Sequence, residues 1–434
     1  MWRDAVFRKV KLTIPKIVAL VCLGALLTLL GFNLFSAQET QIRRPIDHHY
    51  SVSDPQFLRS MGVLLGPPLA PGNRVDTLLN GDQIFPAMLK AIREAKRTID
   101  FETYIYWSGT VGKEFADALS ERAKAGVKVH ILVDWVGSQK MDEDLLQGMA
   151  NAGVEIRKYH ALHWFTLDRL NNRTHRKILV TDGRVGFTGG VGIADEWSGH
   201  AQDKDHWRDT HFRVEGPAVA QMQAAFNDNW VKVSGKVLDG DDYFPPQQAA
   251  GDLPAQMFSS SPDGGADSMH LMYLLSVAAA TKSIDLSMAY FVPDDLALDA
   301  LHAALKRGVR VRIIMPGPIT DASVVRHASR ALWGDILAAG AQIYEYQPTM
   351  YHCKVLVVDG LWVSVGSTNF DNRSFRLNDE ANLNVYDRDF AARQTADFEA
   401  DLGRSRRITF DEWNSRPWTE KAKERFYALA RLQF

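Results

Sequence analysis

The sequence has little cysteine and no excess of positive charge. Its 434 residues include two cysteines, Cys22 and Cys353, and 50 basic against 52 acidic residues, which gives a net charge of −2. Two cysteines exclude a disulfide framework and a cysteine-based zinc centre. The balanced charge argues against nucleic-acid binding through overall charge, because such proteins are usually far more basic. The composition, 46% hydrophobic and 24% charged, excludes the disordered and low-complexity classes.

A long run of apolar residues lies at the N-terminus. Residues 17–35 carry no charge, and 19 residues suffice for a helix to cross a hydrocarbon core of about 30 Å. A cleaved signal peptide is the alternative, but a cut after Ala37 would leave Phe35 where a small residue is expected. We therefore predict a membrane anchor over residues 1–37. More cations precede the run than follow it, which predicts a cytoplasmic N-terminus with the bulk of the chain on the other side. The cations are Arg3, Arg8, Lys9, Lys11 and Lys16 before the run, and Arg43 and Arg44 after it.

The rest of the chain repeats itself. Four blocks recur in the same order, each at an offset of about 180 residues. Helical patterns alternate with apolar strands in both copies, which indicates α/β units with largely parallel sheets. Residues 239–267, rich in Gly, Pro, Asp and Ser, mark the connection between the copies. We predict a spacer over residues 38–75 and two homologous α/β domains, residues 76–250 and 251–434, in a pseudo-twofold arrangement.

The last block carries side chains suited to catalysis. It reads H-R-K-I-L-V-T-D from His175 and H-C-K-V-L-V-V-D from His352. Because residues i and i+2 share one face of a strand, His175 lies beside Lys177, and His352 lies beside Lys354. Burying such pairs requires partners, so a cleft shared by the two copies is predicted. The recurrence at equivalent points of a repeat argues against chance.

Two histidines and two lysines suit phosphoryl transfer without a metal. One imidazole attacks phosphorus and forms a phospho-enzyme, while the other protonates the leaving alkoxide and deprotonates the incoming nucleophile. The lysines, with Ser367 and Asn369, are expected to hold the non-bridging oxygens. No further ligand set has metal spacing, so we predict neither a metal nor another cofactor.

Two pairs of carboxylates complete the pattern. A catalytic histidine needs a carboxylate on its other ring nitrogen, and Asp209 and Glu380 are the candidates, each roughly 30 residues after the histidine of its own half. Asp182 and Asp359 precede glycines, so we assign them a structural role in hairpin turns.

These residues resemble the phospholipase D superfamily, whose hallmark is a duplicated H-x-K-x4-D motif followed by G-S/G-x-N. Over roughly residues 76–410 the surroundings are similar to bacterial cardiolipin synthases, for example in W-R-D-T at Trp207 and Y-F-V-P-D at Tyr290. One departure is Gly192, which stands where the family usually has Asn, so Asn369 and backbone N–H groups are expected to carry more of the phosphate contact. The resemblance implies His175 as nucleophile and His352 as general acid and base, Asp209 and Glu380 as orienting carboxylates, and Lys177, Lys354, Ser367, Asn369 and Gly190 around the phosphate.

The resemblance also implies a reaction. Two phosphatidylglycerols would give cardiolipin and glycerol at the inner membrane of a bacterium, with the lipid bilayer as partner and no nucleic acid. A hydrolytic phospholipase D releasing phosphatidic acid is the alternative. A metal-independent nuclease is less favoured because of the near-neutral charge, and a non-catalytic membrane scaffold is a further alternative. Residues 404–427 mix cations with aromatic side chains, which suits an anionic interface as well as an ordinary solvated helix.

Overall fold

The structure, a computed structural model, describes residues 13–35, 42–159, 171–262 and 268–434. The chain divides into a small unit, residues 1–39 and 162–171, and a large unit that holds the remainder. Within the small unit, helix α1 spans Ile14–Phe35. Among the described residues, no helix combines the length and the apolarity that a membrane crossing needs. The crossing by residues 17–35 therefore stays a prediction. Several residues used in that argument lie outside the described residues, namely Arg3, Arg8, Lys9, Lys11 and Ala37.

The large unit contains two runs of alternating strands and helices. The helices of its first part are α2 (Pro55–Leu64), α3 (Asn80–Glu94), α4 (Thr110–Lys124), α5 (Glu143–Asn151) and α6 (Ala218–Ser234). The strands of this part are β1 (Ala70–Leu79), β2 (Thr98–Thr103), β3 (Lys128–Asp134), β4 (Glu155–Tyr159), β5 (Arg173–Thr174), β6 (Ile178–Thr181), β7 (Val185–Gly189) and β8 (Thr210–Glu215).

The second part follows the same plan and adds a C-terminal extension. Its helices are α7 (Ser268–Ala279), α8 (Asp295–Lys306), α9 (Ser323–Ala331), α10 (Trp333–Ala338), α11 (Asn372–Arg376), α12 (Arg388–Leu402), α13 (Phe410–Asn414) and α14 (Trp418–Ala428). Its strands are β9 (Leu253–Ser260), β10 (Ser283–Met288), β11 (Phe291–Val292), β12 (Arg310–Pro316), β13 (Gln342–Tyr346), β14 (Lys354–Val358), β15 (Trp362–Gly366), β16 (Phe370–Asp371), β17 (Asn378–Tyr386) and β18 (Ser405–Ile408).

One sheet runs through both parts and repeats its strand order. Outward from the antiparallel pair β1–β9, the order is β8–β7–β6–β2–β3–β4 on one side and β17–β15–β14–β10–β12–β13 on the other. The same arrangement therefore occurs twice, once in each half, as the sequence repeat predicts. β18 adds to the outer edge of the second half, and β5 of the first half pairs with β17 of the second.

The expectation of largely parallel sheets is wrong. In each half, parallel pairing within the main strand order is confined to one three-strand edge, β2–β3–β4 and β10–β12–β13. Helices connect these strands, as parallel neighbours require. The strands between the two edges are antiparallel, because short hairpins such as β6–β7 and β14–β15 can join them directly.

The aspartate of each motif sits in such a hairpin. Asp182 and Asp359 adopt φ values of 53° and 52°, in the left-handed region that two-residue hairpin turns demand. The Asp182 carboxylate accepts backbone N–H groups of residues 96–98, and that of Asp359 accepts those of residues 281–283. Each aspartate thus ties its hairpin to the start of a neighbouring strand, β2 or β10.

Part of the segment predicted as a spacer is folded against the second half. Phe57 of α2 packs edge-on against Trp362, with ring centroids 5.0 Å apart, and Val52 donates its N–H to the Ala279 carbonyl. Phe57 and Val52 are buried with the core of the second half. The segment between the halves is also partly ordered, since β9 lies within residues 239–267, of which 263–267 lie outside the described residues.

Candidate active site

The two histidine–lysine pairs are buried at the start of equivalent strands. His175 and Lys177 immediately precede β6, while His352 precedes β14 and Lys354 is its first residue. All four are at most 8% exposed. The alternation of side chains along an extended segment places each lysine on the face of its histidine.

Each histidine is paired with a carboxylate from the opposite half. His175 Nδ1 lies 3.0 and 3.1 Å from the two carboxylate oxygens of Glu380, and His352 Nδ1 lies 2.8 Å from Asp209 Oδ2. The expectation that each carboxylate serves the histidine of its own half is therefore wrong. Sequence separation misled because the pairing depends on how the halves dock.

The backbone explains why the pairing crosses. The His175 N–H donates to the carbonyl of Asp379, immediately before Glu380, at 2.9 Å. The His352 N–H donates to the carbonyl of Arg208, immediately before Asp209, at 2.7 Å. Both bonds join one half to the other, so each brings a carboxylate to the far histidine.

Burial and neighbouring cations keep the imidazoles neutral. Burial lowers the pKa of His175 to about 4, and the charges of Lys177 and Lys354 lower it further, against the opposing effect of Glu380. Burial and then Lys354 likewise lower the pKa of His352. A neutral imidazole whose Nδ1–H is donated to a carboxylate keeps a lone pair on Nε2 for attack or proton transfer.

The carboxylates stay ionised in spite of burial. Burial opposes the charge of Glu380, but His175, Lys177 and the Ser367 hydroxyl hold its pKa below the ordinary value. For Asp209, burial is outweighed by His352, Lys354 and the Thr210 N–H, and its pKa is also lowered. Buried anions beside the imidazoles can stabilise the imidazolium that forms during proton transfer.

The lysines are held at the site with donors to spare. Lys177 Nζ donates to the His175 carbonyl at 2.8 Å, and Lys354 Nζ donates to the His352 carbonyl at 2.7 Å. Lys354 Nζ also lies 3.2 Å from His352 Nε2, the nitrogen expected to face substrate. Burial lowers the pKa of Lys177 to about 7, and Lys354 contributes to this shift, so the cations of the two halves act on one another. An anion between the lysines would relieve this repulsion.

Ser367 lies against a carboxylate. Its hydroxyl donates to Glu380 Oε2 at 2.5 Å and accepts the Ala381 N–H at 3.0 Å. The geometry therefore gives Ser367 a role in holding Glu380, which differs from the phosphate contact expected from the motif.

The equivalent position of the first half is Gly190, and it solves the same problem differently. A Cβ on Gly190 would lie 2.2 Å from Asp209 Oδ1, so only glycine lets this carboxylate approach so closely. The missing hydroxyl is replaced by the Trp197 indole, whose Nε1–H donates to Asp209 Oδ2 at 2.9 Å. Trp197 is a site residue that sequence reasoning missed, because it has no counterpart in the second motif.

Trp197 also accounts for the departure at Gly192. A Cβ there would lie 2.8 Å from the Ile105 Cβ and 3.2 Å from the Trp197 ring, so an asparagine does not fit. In the second half Asn369 is present and 3% exposed, and its Oδ1 has no hydrogen-bond partner among the described residues. Asn369 is thus the half-specific amide that the sequence predicted.

Aromatic rings surround the imidazoles. The Tyr104 ring lies 5.2 Å from that of His175 by centroids, and the rings of Trp197, Trp207 and Tyr290 lie 5.3, 5.6 and 6.5 Å from that of His352. Such walls keep water away from the imidazoles and strengthen local electrostatics. No group of three or more His, Cys, Asp or Glu among the described residues could hold a metal ion.

Comparison with known proteins follows this geometry closely. The family described as "cardiolipin synthase, PLD-like domain" matches residues 88–230 and 274–402, one stretch in each half. Cardiolipin synthase 2 of Bacillus cereus is 36% identical over 356 residues, which cover 81% of this chain and 69% of that protein. A probable cardiolipin synthase of Bacillus subtilis, YwiE, is 35% identical over 359 residues, with 82% and 71% covered.

Among solved structures, the phosphatidylserine synthase of Haemophilus influenzae has a similar fold. The TM-score is 0.64 at 14% identity, over 87% of this chain and all of that one. At this identity the likeness concerns the fold.

Proposed function

Because the chain belongs to the cardiolipin synthase family of proteins with phospholipase D-like domains, we propose that it transfers a phosphatidyl group between two phosphatidylglycerols. The products are cardiolipin and glycerol. The observation that carries the proposal is the crossed pairing of His175 with Glu380 and of His352 with Asp209, which places two oriented imidazoles and two lysines in one site.

In the first step the donor lipid is cleaved. His175 Nε2 attacks phosphorus, the bond from phosphorus to the glycerol headgroup oxygen breaks, and protonated His352 donates its Nε2 proton to that oxygen. Glycerol leaves, and the phosphatidyl group remains on His175 as a phosphohistidine. Lys177, Lys354 and Asn369 hold the non-bridging oxygens, where charge builds up in the transition state.

In the second step the acceptor lipid resolves the intermediate. The hydroxyl of a second phosphatidylglycerol gives its proton to His352 Nε2, its oxygen bonds to phosphorus, and the bond from phosphorus to His175 breaks. His352 is protonated again and His175 is neutral, so the cycle closes. The bound phosphate diester is an anion that raises the pKa of both imidazoles, which lets one of them carry the proton.

A product assay tests the proposal. Purified full-length protein incubated with phosphatidylglycerol vesicles should produce cardiolipin and free glycerol in equal amounts, detected by thin-layer chromatography and an enzymatic glycerol assay. A His175→Ala variant is the control for contaminating activity. Phosphatidic acid as the sole lipid product would reject transfer in favour of hydrolysis, in which water takes the place of the acceptor hydroxyl.

We also propose that residues 17–35 anchor the enzyme in the inner membrane of a bacterium, with the catalytic part on the non-cytoplasmic side. The support is the uncharged 19-residue run and the excess of cations before it. A C-terminal alkaline phosphatase fusion, active only outside the cytoplasm, should be active. A C-terminal β-galactosidase fusion that is active instead would reverse the orientation.

A further inference from the structure

Helix α14 presents apolar side chains to solvent and buries a charge. Trp418, Phe426 and Leu429 are 78%, 69% and 81% exposed, whereas Glu424 is 1% exposed. A surface helix normally turns its apolar stripe toward the core and its charges outward. In α14 this arrangement is reversed, so the fold of the chain does not account for the apolar face.

The apolar side chains form one stripe. At 100° per residue, Trp418, Phe426 and Leu429 lie within an arc of about 80°, and the helical conformation continues through Leu429. Cations border the stripe: Arg425 and Lys421 fall on one side of it and Lys423 on the other. Aromatic side chains flanked by lysine and arginine are typical of helices that lie in the headgroup region of anionic bilayers.

The opposite face of α14 is fixed to the protein. Glu424 lies 2.7 Å from Arg416 and 3.4 Å from Arg330 of α9, and both arginines are largely buried. The Tyr427 ring lies 5.5 Å from that of His327, also of α9. The outward orientation of the stripe is therefore built into the packing.

α9 in turn connects α14 to the candidate active site. The loop just before α9 carries Asp321, which accepts a hydrogen bond from the hydroxyl of Tyr290 at 2.5 Å. Tyr290 faces His352. The lipid-like face of α14 is thus two contacts away from the catalytic histidine.

We propose that the α14 stripe, formed by Trp418, Phe426 and Leu429 with Lys421, Lys423 and Arg425, docks on an anionic phospholipid bilayer. The apolar side chains enter the headgroup region and the cations meet lipid phosphates. The occupant is a lipid surface because the stripe is bordered by positive charge alone on its exposed sides, which complements anionic headgroups. The inference extends the proposed function, since a docked α14 would hold the site at its lipid substrates.

An environment-sensitive probe on the stripe tests this. Full-length protein with Cys22→Ser and Leu429→Cys is labelled with nitrobenzoxadiazole and reconstituted into vesicles of phosphatidylcholine, with or without phosphatidylglycerol. We expect a blue shift of emission, and quenching by nitroxide-labelled lipid, in the phosphatidylglycerol vesicles. The same label at Val237→Cys, an exposed apolar position of the first half, should show neither change. An identical signal at both positions in both vesicles would overturn the proposal.

Charge and self-association arms sharpen the result. Replacing Lys421, Lys423 and Arg425 with Gln should abolish the shift, whereas replacing the exposed Lys90, Lys113 and Lys204 with Gln should leave it intact. A shift of equal size in phosphatidylcholine alone would contradict anionic docking. A shift in detergent without lipid that grows with protein concentration would assign the stripe to a second copy and overturn the proposal. The probe needs no turnover, so its failure is distinct from a failure to make cardiolipin.

Discussion

The two halves hold the same catalytic pair but secure the partner carboxylates by different means. In the second half, the hydroxyl of Ser367 donates to Glu380. In the first half, Gly190 leaves the space empty and the indole of Trp197 donates to Asp209. A duplicated site can thus keep its charge arrangement while the supporting side chains diverge, provided that each buried carboxylate still receives a hydrogen bond.

The removal of either histidine should have the largest effect. His175→Ala and His352→Ala should each lower cardiolipin formation by about 10³-fold or more, since nucleophile and acid act as a unit. The comparison of halves is sharpened by acid-quenched reactions with phosphorus-labelled phosphatidylglycerol. Label on protein is expected with His352→Ala and none with His175→Ala. The reverse pattern would exchange the two roles.

The loss of a carboxylate should cost about 10²-fold in kcat, in the range of general acid–base contributions. Asp209→Asn removes a group that raises the pKa of His352, so the pKa of His352 should fall while that of His175 stays nearly constant. Glu380→Gln should do the same to His175. Histidine titration by nuclear magnetic resonance measures both, and a response of the same-half histidine would break the crossed pairing.

A methyl group at Gly190 tests the space reserved for Asp209. Gly190→Ala should destabilise the fold by about 1–3 kcal/mol, because the new Cβ overlaps the carboxylate. Gly148→Ala in α5 is the matched control, since a Cβ there meets nothing within 4 Å. Thermal unfolding and turnover of both variants give the answer. Equal melting temperatures for Gly190→Ala and the parent would show that Asp209 can move aside.

The two donors to the carboxylates form a matched pair of deletions. Ser367→Ala and Trp197→Phe each remove one hydrogen bond to a charged group, worth about 1.5–3 kcal/mol, so kcat should fall by roughly tenfold. KM should stay unchanged, because neither donor is placed on phosphate. A rise in KM with constant kcat for Ser367→Ala would restore the phosphate contact expected from its motif.

The pH dependence of kcat/KM should have the smallest effect over the neutral range. With the pKa of His175 at about 4, the nucleophile is neutral above that pH, so activity falls only as the medium becomes more acidic than this. With the pKa of Lys177 at about 7, a phosphate-binding cation is lost as pH rises through that value. Lys177→Arg should move the alkaline limb upward, because arginine stays charged. An unmoved limb would assign it to another group.

Sequence reasoning found what is local and repeated. The i, i+2 spacing of His175 and Lys177, and its recurrence at His352, depend only on strand geometry. Glycines after Asp182 and Asp359 are likewise a local signal of hairpin turns. These features needed no knowledge of how distant segments meet.

The remainder depends on tertiary packing. The crossed carboxylates result from the docking of β5 on β17, which no spacing along the chain encodes. Trp197 takes the place of an amide at Gly192 because the ring folds back from the next turn. The mixed sheet was missed since apolar strands read alike whether their neighbours are parallel or antiparallel.

The crossed pairing has a consequence for biosynthesis. His175 waits for Glu380, which lies 205 positions further along, and Asp209 waits for His352, 143 positions further along. While the ribosome is still translating the second half, the emerged first half carries a histidine without its carboxylate and a carboxylate without its histidine. Lipid chemistry therefore begins only once translation is nearly complete, and a truncated product has no active site with which to attack the membrane.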